Sequence, residues 1–163
     1  GDSRGAEIFS RLGVHTEYTD KGVRLTLAGT PVDRLEEDMV DIPDLAQTFV
    51  VLLPDELPLS ALPAYKAYKI KETDRITALI AELRKLGYAV RSEQDSILLV
   101  GGERCPAESA PVIATYEDHR MAMAFAPRLH RTAADKIDEP QVVSKSYPGY
   151  WEDLKQAGFT ICH

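Results

Sequence analysis

Cysteine is scarce in this sequence, and where it occurs it forms no recognisable pattern. The two cysteines, Cys105 and Cys162, lie far apart, and neither belongs to a CxxC pair or a histidine-rich segment. A disulfide framework is therefore excluded, and a zinc-type metal centre is not expected. This use of cysteine is typical of a protein from a reducing cytoplasm.

Basic residues are also in the minority. Lysine and arginine together number 19 against 26 aspartates and glutamates, which gives a formal net charge of −7. An acidic chain is a poor ligand for nucleic acid or an anionic membrane unless its cations gather locally, so neither partner is expected. No apolar run near the N-terminus has the length of a signal peptide or a membrane span.

What the sequence does contain is an internal repeat. Its 163 residues, 44% hydrophobic and 28% charged, are enough for one globular domain with its own core. Similar segments recur 74 residues apart, and the matched pairs are Gly13 with Gly87, Asp44 with Asp118, and Lys71 with Lys145. Each unit is long enough to hold several helices and strands. The chain begins "GDSRGAEIF" without a methionine, and we expect it to be cut from a longer one.

The elements within one unit follow from periodicity. Apolar residues at helical spacing in "TDRITALIAELRKLG" predict a helix that ends at Gly87, and "YAVRSE" and "SILLVG" predict a hairpin. "APVIATY" then predicts a strand, and "DHRMAMAFA" a short helix capped by Asp118. A last helix is predicted in "PGYWEDLKQAG". The sequence therefore predicts an α/β fold built from repeated βαβαββ units.

Charged residues collect at the predicted helix starts. Asp44 begins one helix, residues 71–75 begin the next, residues 118–120 begin a third, and Lys145 precedes a fourth. A cation at a helix N-terminus opposes the helix dipole at a cost of about 0.3–1 kcal/mol, which a bound polyanion would offset. Taken singly, each of these residues also has an ordinary explanation: a solvated helix start with ion pairs for residues 71–75, capping for Asp44 and residues 118–120, and a surface lysine for Lys145. Because equivalent helix ends of repeats lie on one side, we expect the clusters to form a site for a ligand with phosphate and carboxylate groups.

Four segments together resemble the C-terminal part of the 5-enolpyruvylshikimate-3-phosphate synthase family. They are "DIPDLAQTF", "KIKETDRI", "ATYEDHRMAMAFA" and "VSKSYPGYW", in this order. The resemblance implies an inside-out α/β barrel fold with two domains, each of three βαβαββ units. Residues 1–163 would form about two units of one domain, and the other domain of the same polypeptide would be absent from this chain. No cofactor is implied.

The resemblance also implies which residues bind phosphoenolpyruvate. Arg75, Arg120 and Lys145 correspond to its ligands, and His119 lies alongside them. Arginine suits this task because its planar guanidinium grips carboxylate and phosphate with two parallel hydrogen bonds.

The second substrate implied by the resemblance is shikimate 3-phosphate. Lys71 and Asp44 correspond to its contacts, and Asp44 would be the base at the 5-hydroxyl, which accepts the enolpyruvyl group. Glu72 corresponds to the carboxylate that handles the proton at the methylene of phosphoenolpyruvate. Ala67 departs from the family, which usually has asparagine at that place.

Two other functions remain open on the sequence. The related enolpyruvyl transferase that acts on UDP-N-acetylglucosamine shares the fold, although "KETDR" and "DHRMAM" argue against it. A module that binds anions without catalysis would keep the same cations. The 163-residue chain alone is expected to be inactive, since half of the cleft would be missing.

Overall fold

The computed structural model describes residues 4–32, 42–56, 60–62, 75–93, 96–131 and 135–162. The α-helices are α1 (Arg4–Arg11), α2 (Pro43–Glu56), α3 (Arg75–Lys85), α4 (His119–Phe125) and α5 (Tyr150–Gln156). The strands are β1 (Val14–Thr19), β2 (Gly22–Leu27), β3 (Ser60–Leu62), β4 (Tyr88–Glu93), β5 (Ser96–Arg104), β6 (Val112–Ile113) and β7 (Lys136–Ile137). In these ranges no helix is both long and apolar enough to cross a membrane.

The helix and hairpin at the N-terminus recur in the second half of the chain. Helix α1 leads into the antiparallel hairpin β1–β2, and α3 leads into the antiparallel pair β4–β5. Between helix and hairpin stand Gly13 with φ +83° and Gly87 with φ +86°. A side chain at Gly13 would also meet the carbonyl oxygen of Gly29 at 2.7 Å. Only glycine adopts this left-handed conformation without strain, which explains why both copies have it.

The two hairpins differ in what surrounds them. In the second, β5 lies between β4 and β3, so a three-stranded sheet forms. The first is a two-stranded sheet, and Tyr18, Val23, Leu25 and Leu27 are exposed on it.

The last part of the chain has a parallel crossover. Strands β6 and β7 pair in parallel, with α4 and a 3₁₀ helix (Ala126–Arg131) between them. The strand predicted over "APVIATY" is only two residues long, so its predicted length was wrong. The strand ends early because the backbone N–H of Ala114 donates to the Glu82 carboxylate on α3, and because Tyr116 and Glu117 have positive φ. A backbone N–H bound to a side chain does not pair with a neighbouring strand, and residues with positive φ are not extended.

Helices form the centre of the core. Phe49 on α2, Leu79 and Leu83 on α3, and Phe125 on α4 are completely buried in one hydrophobic cluster. Helix α2 carries the run "AQTFVVLL", whose apolar residues cover more than one face, as expected for a helix packed on several sides. Met121 is buried with them. This packing brings the starts of α2, α3 and α4 close together.

Candidate active site at three helix starts

The starts of α2, α3 and α4 are joined by charged side chains. Asp44 is the second residue of α2, behind Pro43, whose fixed φ suits the first position of a helix. Arg75 is the first residue of α3, and Asp118 is the N-cap of α4. The predicted meeting of helix starts is therefore observed for these three helices.

Asp118 is the centre of this group. Its Oδ1 accepts a hydrogen bond from the backbone N–H of Arg120 at 2.9 Å, which caps α4. Its Oδ2 accepts from Gln47 Nε2 at 3.0 Å and lies 3.4 Å from Arg75 Nε. The Asp118 side chain is only 12% exposed. A carboxylate enclosed by three donors from three helices serves mainly to hold those helices in place.

Asp44 and Arg120 form the second link. Arg120 Nη2 lies 2.7 Å from Asp44 Oδ2, across the packed helices α4 and α2. This pair is more open, with the Arg120 side chain 28% exposed and the Asp44 side chain 45% exposed. The guanidinium has five N–H donors and Asp44 takes only part of them, so an anion can approach from solvent.

His119 and Lys145 occupy the edge of this region. His119 is the first residue of α4 and is half-buried, between the cap and Arg120. Lys145 ends a 3₁₀ helix (Pro140–Lys145) that packs against α4, and its side chain is exposed. Within the described ranges the Lys145 side chain forms no ion pair, so the structure does not join it to Asp44, Arg75, Asp118 and Arg120.

Two site residues predicted from the sequence, Lys71 and Glu72, lie outside the described residues, as does Ala67. Their roles stay predictions. Arg75, the last residue of the same "KETDR" segment, is described and lies at the site.

Gln47 is a member of the site that the sequence analysis missed. It lies one turn after Asp44 on α2, and it is buried where it donates to Asp118. A polar residue inside the apolar run of α2, three positions from a helix-start aspartate, was the available signal. Such spacing puts both side chains on one face of the helix.

Among the residues that the structure describes here, the arrangement combines two guanidinium groups with one accessible carboxylate. Arg75 and Arg120 are held in fixed positions, and a preorganised guanidinium binds carboxylate or phosphate without reorganising. Asp44 is the carboxylate that solvent reaches, so it is the one that can accept a proton from a bound hydroxyl.

Comparison with known proteins identifies what this chain is similar to. A family model described as EPSP synthase (3-phosphoshikimate 1-carboxyvinyltransferase) matches residues 1–154. A 3-phosphoshikimate 1-carboxyvinyltransferase of Bacteroides fragilis is 61% identical over 99% of this chain and 39% of its own length. Another, of Syntrophobacter fumaroxidans, is 32% identical over 96% of this chain and 36% of its own. The chain thus spans about two fifths of the length of these relatives.

Solved structures give the same result for the fold. An EPSP synthase of Acinetobacter baumannii superposes with a TM-score of 0.73 at 20% identity, over 94% of this chain and 38% of that one. A second structure from the same organism gives a TM-score of 0.71. This likeness confirms the predicted fold class, part of an inside-out α/β fold with mixed helices and strands.

Proposed function

Because the chain belongs to the EPSP synthase family, we propose that it forms part of an enzyme that transfers the enolpyruvyl group of phosphoenolpyruvate to the 5-hydroxyl of shikimate 3-phosphate. Phosphate is released in this reaction. The enzyme would act in aromatic amino acid biosynthesis. The full reaction is a proposal for the whole protein, since the chain spans 39% of the Bacteroides fragilis relative.

One observation carries this proposal. Two ion pairs, Arg75 with Asp118 and Arg120 with Asp44, hold the starts of three helices against one another. Two guanidinium groups are thereby fixed beside a solvent-accessible carboxylate. Ordinary capping needs none of the contacts between helices, whereas binding of two polyanions needs fixed cations.

The proposed roles are proton transfer by the carboxylates and substrate binding by the cations. Asp44 takes the proton of the 5-hydroxyl as its oxygen attacks the central carbon of phosphoenolpyruvate, while Glu72 supplies a proton to the methylene carbon. The tetrahedral intermediate then loses phosphate as Glu72 takes a proton back, which restores the double bond, and the proton held by Asp44 leaves with the phosphate. Arg75 and Arg120 bind the carboxylate and phosphate of phosphoenolpyruvate with His119 beside them. Lys71 binds shikimate 3-phosphate, and Lys145 adds a cation from the edge of the site.

The remaining parts of the proposal concern the rest of the protein. We infer that residues 1–163 are about two repeat units of one domain, and that a second domain of the same polypeptide supplies the other wall of the cleft. A cytoplasmic location is also proposed, and it is supported by Cys105 and Cys162, neither of which is in a disulfide.

The test is an assay of phosphate release by the full-length protein with both substrates, with mass spectrometry of the product. We expect turnover that requires both substrates, and a product heavier than shikimate 3-phosphate by the enolpyruvyl group. UDP-N-acetylglucosamine in place of shikimate 3-phosphate serves as the control. Turnover only with that sugar nucleotide would support the rival transferase, and no turnover with either acceptor would support the non-catalytic module.

A further inference from the structure

The backbone immediately before α4 has an unusual conformation. Tyr116 has φ +52° and Glu117 has φ +56°, so two consecutive residues other than glycine are left-handed. Residues with a Cβ avoid this region unless the surroundings hold them there. The next residue is Asp118, the cap of α4 and the partner of Arg75. The conformation of this turn therefore decides where α4 begins.

Glu82 on α3 holds the segment that leads into this turn. Its Oε1 accepts a hydrogen bond from the Tyr116 hydroxyl at 2.8 Å, and its Oε2 accepts from the backbone N–H of Ala114 at 3.1 Å. Lys85 Nζ lies 2.7 Å from Oε2 and also donates to the carbonyl of Val112 at 2.9 Å. Residues 112, 114 and 116 are thus each tied, directly or through Lys85, to one carboxylate.

The Glu82 carboxylate is deeply buried and is satisfied by several donors. The Glu82 side chain is 1% exposed, and a charge is retained at such a depth only when several donors satisfy it. Burial, followed by the hydrogen bond and the charge of Glu82, raises the pKa of Tyr116 to about 12. The tyrosine therefore keeps its hydroxyl proton at physiological pH and remains a donor.

Helix α3 carries both Glu82 and Arg75. Arg75 begins the helix and reaches Asp118, while Glu82 lies two turns further and reaches Tyr116, two residues before Asp118. A helix is stiff over two turns, so the two contacts fix the start of α4 relative to Arg75 at two points. The backbone N–H of Asp118 also donates to the carbonyl of Thr115 at 2.9 Å across this turn. Removal of the second contact therefore leaves the left-handed turn with its own backbone bond but without the tie from Tyr116 to α3.

We propose that Glu82 is a positioning residue that, through the hydroxyl of Tyr116, holds the left-handed turn at Tyr116–Glu117 and so sets Asp118, His119 and Arg120 relative to Arg75. The inference rests on the proposed function, because its consequence is correct placement of the phosphoenolpyruvate ligands. Glu82 itself touches none of the proposed substrate ligands among the described residues. It acts through Tyr116.

The test compares Tyr116→Phe with Glu82→Gln in the full-length protein. Tyr116→Phe removes a single hydroxyl and keeps the ring, so it remains informative if Glu82→Gln does not fold. The matched control is Tyr147→Phe, because the Tyr147 hydroxyl also donates to a carboxylate, Asp153 Oδ2 at 2.6 Å, but on the exposed start of α5. The quantities are kcat and KM for each substrate and the melting temperature.

We expect Tyr116→Phe to lower kcat/KM for phosphoenolpyruvate about 10-fold to 100-fold, the scale of a displacement near 1 Å. KM for shikimate 3-phosphate should stay within about twofold, because Asp44 lies on another helix, and Tyr147→Phe should match the wild type. A purely structural role would lower the melting temperature without this split between substrates. Unchanged kcat/KM in Tyr116→Phe would overturn the inference.

A crystal structure of Tyr116→Phe separates this inference from the proposed function. We expect the Arg75 Nε to Asp118 Oδ2 distance, now 3.4 Å, to lengthen and the turn to leave the left-handed region. If wild-type protein shows no turnover, the proposed function fails and this structure alone decides the inference. An unmoved turn and an unchanged distance would overturn it.

Discussion

Asp44 and Asp118 stand 74 residues apart in the repeat, yet their surroundings differ. Asp118 is almost enclosed and receives donors from three helices, whereas Asp44 is 45% exposed and, among the described residues, pairs with the Arg120 guanidinium. The residues two positions before each aspartate also differ. Ile42, buried before α2, corresponds to Tyr116, which is left-handed before α4.

This difference shows how two copies of one unit can divide their tasks. A carboxylate whose oxygens already accept hydrogen bonds stabilises the packing and has little capacity left for a substrate. A carboxylate with one partner and access to solvent can exchange a proton with a bound hydroxyl. We therefore assign a structural role to Asp118, and the chemical role proposed for Asp44 fits its greater exposure.

The largest expected effect is on catalysis by Asp44→Asn. The amide keeps the shape but cannot accept the hydroxyl proton, so kcat of the full-length protein should fall about 10²-fold to 10⁴-fold. Stability should change by less than about 1 kcal/mol, because an exposed ion pair contributes little. Steady-state kinetics and urea unfolding measure the two effects. A normal kcat would mean that Asp44 is an ordinary helix-start residue.

Asp118→Ala should show the opposite balance, with the free energy of unfolding lowered by about 3 kcal/mol. The variant loses a helix cap and leaves Arg75 and Gln47 without their shared acceptor. Glu17→Ala is the control, because its pair with Arg24 is exposed and should contribute at most about 1 kcal/mol. Urea unfolding measures both variants. If Asp118→Ala and Glu17→Ala lower the free energy of unfolding equally, Asp118 is no more structural than a surface carboxylate.

Arg120 links the two carboxylates, and Arg120→Ala should mainly weaken binding of phosphoenolpyruvate. Loss of a charged hydrogen bond worth about 1.5–3 kcal/mol corresponds to about 10-fold to 150-fold in affinity. Affinity for shikimate 3-phosphate should be nearly kept, which calorimetry with each substrate can measure. Weaker binding of shikimate 3-phosphate alone would assign Arg120 to the other substrate.

The smallest expected effect is a difference between the two helix starts in how their contribution to stability depends on pH. The pKa of Tyr116 is raised to about 12, mainly by burial, and Ile42 at the equivalent place does not titrate. The unfolded chain loses the tyrosine proton near pH 10, so the contribution to stability is constant below that pH and falls between about pH 10 and 12.

Absorbance of tyrosinate measures this titration, with Tyr116→Phe and Tyr150→Phe as paired variants. The pKa of Tyr150 is also about 12, because it is buried and lies near Tyr147. Each variant should lose part of the tyrosinate absorbance that develops at high pH. A Tyr116 that titrates near pH 10 would mean that its hydroxyl is neither buried nor held by Glu82.

Much of this fold is readable from the sequence because its signals are local. Gly13 and Gly87 mark helix ends in both copies, since only glycine takes their φ without strain. Asp118 is recognisable as a cap from its place before an apolar helical pattern. The repeated α/β units and the meeting of helix starts followed from such signals and from the 74-residue separation, whereas the inside-out barrel was implied by the family resemblance.

Other features depend on contacts between segments distant in the sequence. The strand over "APVIATY" ends early because Glu82, on the preceding helix, binds Ala114 and Tyr116. Gln47 joins the site because α2 packs on α4, which its own sequence does not reveal. Periodicity identifies which face of a helix is apolar, but it does not identify which helix that face meets.

The most direct test is a crystal structure of the full-length protein with shikimate 3-phosphate and inorganic phosphate, a combination that cannot react onward. The account predicts phosphate at the guanidinium groups of Arg75 and Arg120. It also predicts Asp44 within about 2.6–3.2 Å of the 5-hydroxyl, and Asp118 without substrate contact. Shikimate 3-phosphate bound to Asp118 while Asp44 faces away, or both ligands far from these helix starts, would contradict it.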